Sequence, residues 1–483
     1  MKVGHLAELP EQRAGQDPGS LCIEDSARKL DAHGFAREVE SAAGRLAEAG
    51  VRRGHVVATI LANRIELVTT FFAAWRVGAA VTPVNPALTA GEKAYQLADS
   101  SASLAIVAEA DMAGELPVPA ITANELVQDH ESAERIGFSL EDLALIVYTS
   151  GTTGKPKGVL LDHGNLAAMN EMMIGAVDLK PSDRALLVLP LFHVNGIMVS
   201  VVGPLSAGGS CVISQFQLTS FWAEVESYRP TYFSAVPTIY LLLNALPEDI
   251  HPDVSSVRFA ICGAAPMPPN AITEFESRYG IPVLEGYGLS EATVASTLNP
   301  LKGPRKVGTV GLPLVGQHVR IQANDGSFLE AGSVGEVVIA GPNVMRGYLN
   351  RREETEQALQ GGWLHTGDVG YLDQDGYLVL VDRKKDMIIW GGENIYPKEI
   401  EAVIHSHPAV LEAAVVGRSN PIYGEEPIAF VALRPGASVE PAELSEYCSA
   451  HLARFKVPRE ITILDALPKN SVGKITKEAL RNR

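Results

Sequence analysis

At 483 residues the chain is too long for one hydrophobic core and predicts two or three domains. Its 46% apolar and 20% charged residues are the proportions of an ordinary folded protein, which excludes a disordered or fibrous chain. Lys and Arg number 40 against 57 Asp and Glu, a net charge of −17 that excludes a generic nucleic-acid binder, because grip on a phosphate backbone needs clustered cations.

Taken in chain order, residues 1–16 lack the apolar core of a secretory signal. From His55 onward, "HVVATILA" predicts a strand, "IELVTTFFAAWRVG" a helix, "AAVTPV" a strand, "KAYQLADSS" a helix and "LAIVAE" a strand. This alternation predicts largely parallel sheets covered by helices. The run "LALIVYTS" then reads as a central strand that delivers the loop "YTSGTTGKPKG" (148–158) at its carboxyl end, where open α/β sheets bind ligands. A second α/β block over about 180–300 places strands at "ALLVLP", "SCVIS", "TYFSAVP", "VRFAICG" and "PVLEGYG". The stretch 196–214 is apolar but broken by Pro204 and by Gly and Ser, so it reads as core and not as a membrane span. From about 305, "HVRIQAND", "GEVVIAG" and "GYLVLVD" with Gly-rich turns predict a small antiparallel β unit. The charged cluster "DRKKD" (382–386) separates it from a last segment with its own alternation, "PKEIEAVIHSH", "VLEAAVVGR", "PIAFVALRP" and "AELSEYCSAHLARF". The expected fold is α/β: a large N-terminal domain (1–381) of two sheet subdomains plus the β unit, a hinge (382–386) and a small mobile α+β C-terminal domain (387–483). Cys22, Cys211, Cys262 and Cys448 form no CxxC pair and no zinc-ligand spacing, and read as buried free thiols of a reducing cytoplasm.

The 148–158 loop invites comparison with a Walker loop, and the comparison fails. Pro156 follows Gly154-Lys155 where a Mg²⁺-binding Ser or Thr belongs, and no glycine stands five residues before Gly154. Hydroxyls at Thr149, Ser150, Thr152 and Thr153, with backbone N–H groups around Gly151 and Gly154, still suit a polyphosphate. In "EGYGLSEA" (285–292), Gly286 and Gly288 allow close approach to a flat ligand, Tyr287 offers a stacking face, Ser290 a phosphate contact and Glu291 a Mg²⁺ ligand. Asp368, in a Gly-flanked turn, suits a ribose diol, and Arg383 the same ribose or a phosphate.

Together these residues carry a resemblance. Seven segments, "YTSGTTGKPKG", "LPLFHVNG", "GAAPMP", "EGYGLSEA", "GWLHTGD", "DRKKDMIIWGGENIYPKEIE" and "PKNSVGKI", occur in the order of the adenylate-forming superfamily, which includes acyl-CoA synthetases, luciferases and nonribosomal adenylation domains. The resemblance covers nearly the whole chain. It implies that the 148–158 loop, including Lys155, holds the ATP β- and γ-phosphates, and that Gly263, Ala264 and Ala265 with Tyr287 and Gly288 enclose adenine. Ser290 would then contact phosphate, Glu291 Mg²⁺, and Asp368 and Arg383 the ribose. It also implies that Lys385 is the hinge residue and Lys474 the lysine that reaches the carboxylate and α-phosphate. His193 would gate an acid pocket that Asn195, Gly196, Val236, Gly263, Gly286, Gly288 and Ala292 line, the small residues leaving room for a bulky group. Gly391 and Gly392, flanked by Trp390 and Glu393, would line a pantetheine channel.

The implied reaction joins a carboxylic acid to coenzyme A: ATP activates the acid to an acyl-adenylate with loss of pyrophosphate, then the thiol displaces AMP. Lys474, Mg²⁺ and the loop donors would offset the repulsion between two anionic reactants. Alternatives are a carrier-protein phosphopantetheine as acceptor, a chain that runs one half-reaction beside a partner ligase, and an idle acyl- or nucleotide-binding protein. The last is disfavoured because Lys474, Glu291 and Asp368 are retained. A homodimer is a further expectation. Two departures stand out: Ser290 where the family more often has Thr, and Trp390 where a small or polar residue is common, placing an indole to narrow or stack in the channel. The pocket segments "FHVNGIM", "SAVPTIY" and "EGYGLSEATVAS" hold no Lys or Arg, which favours an apolar monocarboxylic acid.

Overall fold

Runs of β-branched and apolar residues flanked by amphipathic helices leave few arrangements other than sheets with helices on both faces. The computed structural model of the chain describes residues 5–109, 116–134, 136–149, 155–265, 267–390, 393–469 and 475–481. It divides into one unit of Met1–Val319 with Ile339–His365 and a second of Arg320–Val338 with Thr366–Arg483.

The first unit holds two sheets. One runs, in spatial order, Gly347–Tyr348, Lys157–Asp162, Leu143–Thr149, Ala80–Pro83, Val56–Ile60, Leu104–Val107, Ala120–Thr122. Its members from Leu143–Thr149 to Ala120–Thr122 are parallel, while Lys157–Asp162 returns antiparallel after the 148–158 loop. The helix Ile65–Arg76, buried along its whole length, follows the Val56–Ile60 strand, as the apolar sequence requires. The other sheet runs Leu312–Pro313, Thr297–Leu298, Val283–Tyr287, Phe259–Cys262, Tyr232–Ala235, Arg184–Leu187, Ser210–Ile213, Leu21–Glu24, Lys29–Asp31. The two N-terminal strands were not legible: Leu21–Glu24 is short, and it becomes a strand by parallel pairing with Ser210–Ile213, far along the chain. Val236, Gly263 and Gly288 each follow the carboxyl end of a neighbouring parallel strand, the edge at which such sheets bind ligands. The stretch 196–214 is core: a π-helical turn Gly196–Val202, a short helix Gly203–Ser206 and the strand Ser210–Ile213, almost all buried.

In the second unit a four-stranded sheet, His318–Gln322, Gly335–Ala340, Leu364–Leu372, Leu378–Arg383, groups with the C-terminal segment. Asp368 lies inside the strand Leu364–Leu372 and not in a turn, a correction to the sequence reading. The glycines around it serve a bent strand: Gly367 has a φ of 69°, and the register slips between Val369 and Gly370. A further sheet pairs Glu393–Ile395, Ile388–Trp390, Gly424–Leu433 and Val410–Asn420, with Ile461–Leu464 beside Gly424–Leu433 and the helices Pro397–His405, Pro441–His451 and Lys477–Arg481 packed on it. All four cysteines are buried and free. Among the described residues no helix is long and apolar enough to cross a membrane.

His163 opens the helix His163–Val177, buried against the edge of Trp75 at 5.5 Å and the ring of His5 at 4.0 Å. Burial, helped by His5, pushes its imidazole from the ordinary 6.5 down to about 3. Between those values the unfolded chain binds a proton that the folded one does not, so stability is lost as pH falls from 6.5 toward 3. The slope is about 1.4 kcal/mol per pH unit. Urea unfolding across that window is expected to show this slope, and His163→Gln to flatten it.

Candidate active site

The strand Leu143–Thr149 hands the chain to residues 150–154, so Ser150, Gly151, Thr152, Thr153 and Gly154 lie outside the described residues. The two stems of the loop are fastened. Tyr148 donates its hydroxyl to Asp99 at 2.9 Å, and Tyr95 donates to the Pro156 carbonyl at 3.1 Å. Lys155 places its ammonium 5.8 Å from the Tyr95 ring centre. Lys157 pairs with Glu354 and lies 5.2 Å from the Tyr348 ring centre, so its charge is matched within the protein.

Tyr348 continues this chain of contacts. Its hydroxyl donates to Glu291 Oε1 at 2.9 Å, and the Met345 N–H donates to the Glu291 carbonyl at 2.8 Å. Glu291 sits in the turn Ser290–Ala292, which Thr293, at a φ of 68°, closes by donating its hydroxyl to the Asn343 carbonyl at 2.6 Å. Asn343, fully buried, donates to the Ala292 carbonyl at 3.0 Å. Asn165 in turn donates to the carbonyls of Pro342 and Val344, both at 2.8 Å. One Glu291 oxygen is thus oriented by a phenol, and the other meets no hydrogen-bond donor among the described residues. Such a half-engaged carboxylate fits a Mg²⁺ held mainly by substrate phosphates. No cluster of three or more His, Cys, Asp or Glu exists among the described residues to form an all-protein cage.

The two segments expected to enclose adenine are neighbours. Phe259–Cys262 and Val283–Tyr287 run parallel with Cys262 opposite Glu285, and a Cβ on Gly263 would lie 3.4 Å from the Gly286 carbonyl. Ala264 adopts a φ of 71°, a left-handed conformation that a non-glycine residue seldom takes outside functional loops. Tyr287 is largely buried beside them. Gly286 and Gly288 answer to a different need from the one read in the sequence. A Cβ on Gly286 would meet Leu298 Cδ1 at 2.8 Å, and one on Gly288 the Val294 carbonyl at 1.9 Å. The chain's own return occupies that space, and Ala292 is fully buried, so these positions do not open room for a bulky acyl group.

The turn that bears His193 is held by Asn63, a residue the sequence did not flag. Its side-chain amide donates to the carbonyls of Leu189 at 2.9 Å and Ser214 at 3.0 Å, and its oxygen accepts from the Leu191 N–H at 2.9 Å. Asn195 accepts a hydrogen bond from Ser234 at 3.0 Å, which joins the His193–Gly196 segment to the strand leading to Val236. Gly196 lies close to this turn, and a Cβ there would stand 3.1 Å from the Pro190 carbonyl.

In the second unit, Asp368 and Arg383 face each other across the ladder, and Arg383 Nε donates to Asp368 Oδ1 at 2.8 Å. Partial burial and the Arg383 charge hold the Lys385 ammonium below its ordinary range. Trp390 stacks on Tyr423 at 4.3 Å and on Phe455 at 5.9 Å, so its indole is engaged by aromatic neighbours of its own unit. Glu393 is exposed opposite Trp390. Gly391, Gly392 and Lys474 lie outside the described residues. On either side of 470–474, Lys469 and Ile475 form an antiparallel bridge, Thr476 N–H donates to the Pro468 carbonyl at 2.8 Å, and Lys469 pairs with Glu412 at 2.7 Å.

The family model of AMP-binding enzymes matches residues 10–349, and that of the AMP-binding enzyme C-terminal domain matches residues 399–474. The chain belongs to the AMP-binding enzyme family. Within it, this is an acyl-CoA synthetase of the adenylate-forming superfamily, as its relatives indicate. It is 38% identical to a 2-succinylbenzoate–CoA ligase of Geobacillus kaustophilus, over 98% of this chain and 96% of that one. It is 36% identical to a feruloyl-CoA synthase of an Amycolatopsis species over the full length of both. Among solved structures, ATP-bound MatB from Rhodopseudomonas palustris superposes with a TM-score of 0.92 at 31% identity, covering 99% of this chain and 98% of that one. The o-succinylbenzoate CoA synthetase of Bacillus subtilis, in complex with its acyl-adenylate, gives 0.89 at 32% identity over 99% and 97%.

Tyr348→Phe in this synthetase keeps the ring beside Lys157 and removes the donor to Glu291. A hydrogen bond to a charged group contributes about 1.5–3 kcal/mol, so pyrophosphate release is expected to slow about tenfold or more. Thermal unfolding should change little, which a direct comparison of the two variants checks.

Proposed function

We propose that this acyl-CoA synthetase activates an apolar monocarboxylic acid with ATP and passes the acyl group to the thiol of coenzyme A. The observation that carries the acid class is the fate of the cations around the pocket segments. Between residues 185 and 301 the only Lys or Arg residues are Arg229, Arg258 and Arg278. Arg229 pairs with Asp253, Arg258 is bound to Asp183, and Arg278 donates to the carbonyls of Asn244, Leu246 and Pro247. None is left to meet a second anionic group on the acid. The relatives include ligases for oxalate, sulfoacetate and 2-succinylbenzoate as well as for feruloyl groups. The engaged arginines favour an acid of the last kind, with one carboxylate on an apolar or aromatic body.

In this reading the segment 150–154 holds the β- and γ-phosphates, Ala264 and Tyr287 flank adenine, and Asp368 with Arg383 meets the ribose. Glu291, oriented by Tyr348, would hold Mg²⁺, which supplies charge neutralisation at the phosphates. Lys474 offsets the charge that develops as the carboxylate attacks the α-phosphate. The hinge at 382–386 then turns the C-terminal domain (387–483), so that Gly391 and Gly392 admit the thiol. Four buried, unpaired thiols support a reducing, cytoplasmic location. Burial pushes those of Cys22 and Cys448 up to about 12 and about 11, which leaves them inert at neutral pH.

A panel of aliphatic and aromatic acids, assayed for pyrophosphate release with and without CoA, tests the proposal. Release with an aromatic or fatty acid, and acyl-CoA formed when CoA is present, is the expected result; preference for a dicarboxylate overturns the acid class. Lys474→Ala removes a donor of about 3 kcal/mol, so adenylation should fall at least a hundredfold. Thioester formation from a supplied acyl-adenylate should persist in the same variant.

A further inference from the structure

The chain around Lys385 is tied down on both sides. Upstream, the Lys384 N–H donates to the Gly367 carbonyl at 2.8 Å, its ammonium lies 3.2 Å from Glu336, and Arg383 is bonded to Asp368. Downstream, Arg481 Nη2 donates to Asp386 Oδ1 at 2.6 Å and reaches the Lys385 carbonyl at 3.5 Å, the outer limit of a hydrogen bond. Asp386 is buried while Arg481 is exposed, so the pair is shielded on its carboxylate side alone. The helix Lys477–Arg481 is itself anchored. Leu480 is fully buried in a cluster with Ala414, Val416 and Phe430, and Lys477 pairs at 2.7 Å with Glu401. The Glu401 carboxylate is buried, which raises its pKa, and it also accepts from the Val415 N–H at 2.7 Å.

The peptide bond is planar, so the Lys385 carbonyl travels with the Asp386 nitrogen when the chain turns at φ or ψ of Lys385. The Arg481 contacts therefore survive such a turn. Three bonds among the described residues cross the pivot and must open: Asp386 N–H to the Arg383 carbonyl at 2.9 Å, Met387 N–H to the same oxygen at 3.2 Å, and Lys398 N–H to Asp382 Oδ2 at 2.8 Å. We propose that Arg481 is a positioning residue for adenylation. It makes the Lys385–Asp386 peptide one body with the terminal helix, so the turn is confined to Lys385 and is transmitted undiminished to the Lys469 and Ile475 stem on either side of Lys474. The proposal rests on the reading of Lys385 as hinge and Lys474 as the adenylating lysine. Without Arg481 the turn spreads into Asp386 and Met387, and Lys474 is delivered out of register. The thiol half-reaction, which the same turn serves by bringing Gly391 and Gly392 to the site, is slowed as well.

The test uses the full chain carrying Arg481→Met, which keeps the apolar stem. Pyrophosphate release is expected to slow about tenfold, mainly in kcat, because small misplacements of a reacting group are costly. Thioester formation from a supplied acyl-adenylate should slow too, while thermal unfolding stays unchanged. Asp386→Asn should add little to Arg481→Met, as expected for two ends of one contact, and Arg481→Lys should restore part of the rate. Additive effects of the two substitutions, no rescue by Arg481→Lys, or no change overturns the proposal. If the wild-type chain releases no pyrophosphate with any acid, the functional reading fails and hydrogen exchange decides the fastening alone. Faster exchange of the Asp386 and Met387 amides in Arg481→Met supports it, and unchanged exchange overturns it.

Discussion

The grip of residues 341–348 on the turn at 290–293 is the interaction on which the proposed role of Glu291 depends. A carboxylate that is to meet a nucleotide must be held in place before the ligand arrives, since reorganisation at the moment of reaction adds to the barrier. Glu291 is held by its own carbonyl, through Met345, and by its side chain, through Tyr348. Thr293 and Asn343 lock the same turn from beneath, and Asn165 fixes the gripping segment. The left-handed conformation of Thr293 costs on the order of 1–3 kcal/mol. Buried hydrogen bonds of about 1 kcal/mol each, whose loss would strand polar groups away from water, offset it. The strain is therefore a property of the whole network and not of one residue.

This network also shows where the sequence was silent. The parallel strands were legible because each is a short apolar run bounded by turn residues, and the reading of Val56–Ile60, Phe259–Cys262 or Gly424–Leu433 needed nothing else. Residues 341–348 have no period: their role lies in side chains and carbonyls that meet partners far along the chain. Asn63 is of the same kind, a polar residue between a strand and a helix whose amide spans two distant carbonyls. Leu21–Glu24 and Leu364–Leu372 were missed for a related reason, since one is a strand only through its partner and the other is interrupted by glycines. Motif order singled out Glu291 and Lys385 as candidates, but not the residues that hold them.

The glycines sharpen the distinction between a motif and its physical cause. Gly286 and Gly288 stand in a nucleotide-binding motif, and close approach to a flat ligand is the reading their position suggests. In the structure each is demanded by the chain's own backbone, at Thr297–Leu298 and at Val294–Ala295. The two demands are compatible, because a chain that returns so tightly also fixes the carbonyl and phenol groups between them. The Asn195–Ser234 contact joins the His193 segment to the strand before Val236, the other two segments of the proposed acid pocket.

On the proposed reading of Lys385 as hinge, the second unit meets an opposite requirement, since a hinge must be firm at rest and yet able to turn. Asp382 is buried and accepts from the Arg383 N–H at 2.7 Å and from the Lys398 N–H at 2.8 Å, so it caps the helix Pro397–His405 from across the pivot. With the two bonds to the Arg383 carbonyl, a turn at Lys385 must open a small set of hydrogen bonds of about 1 kcal/mol each. That sum lies within the few kcal/mol that ligand binding can redistribute between two conformations. The fastenings that do not cross the pivot, Lys384 to Gly367 and Arg481 to Asp386, are left intact by the turn. Placing the breakable bonds at one residue and the permanent ones on either side is what would let a single peptide unit carry the proposed motion without loosening either body.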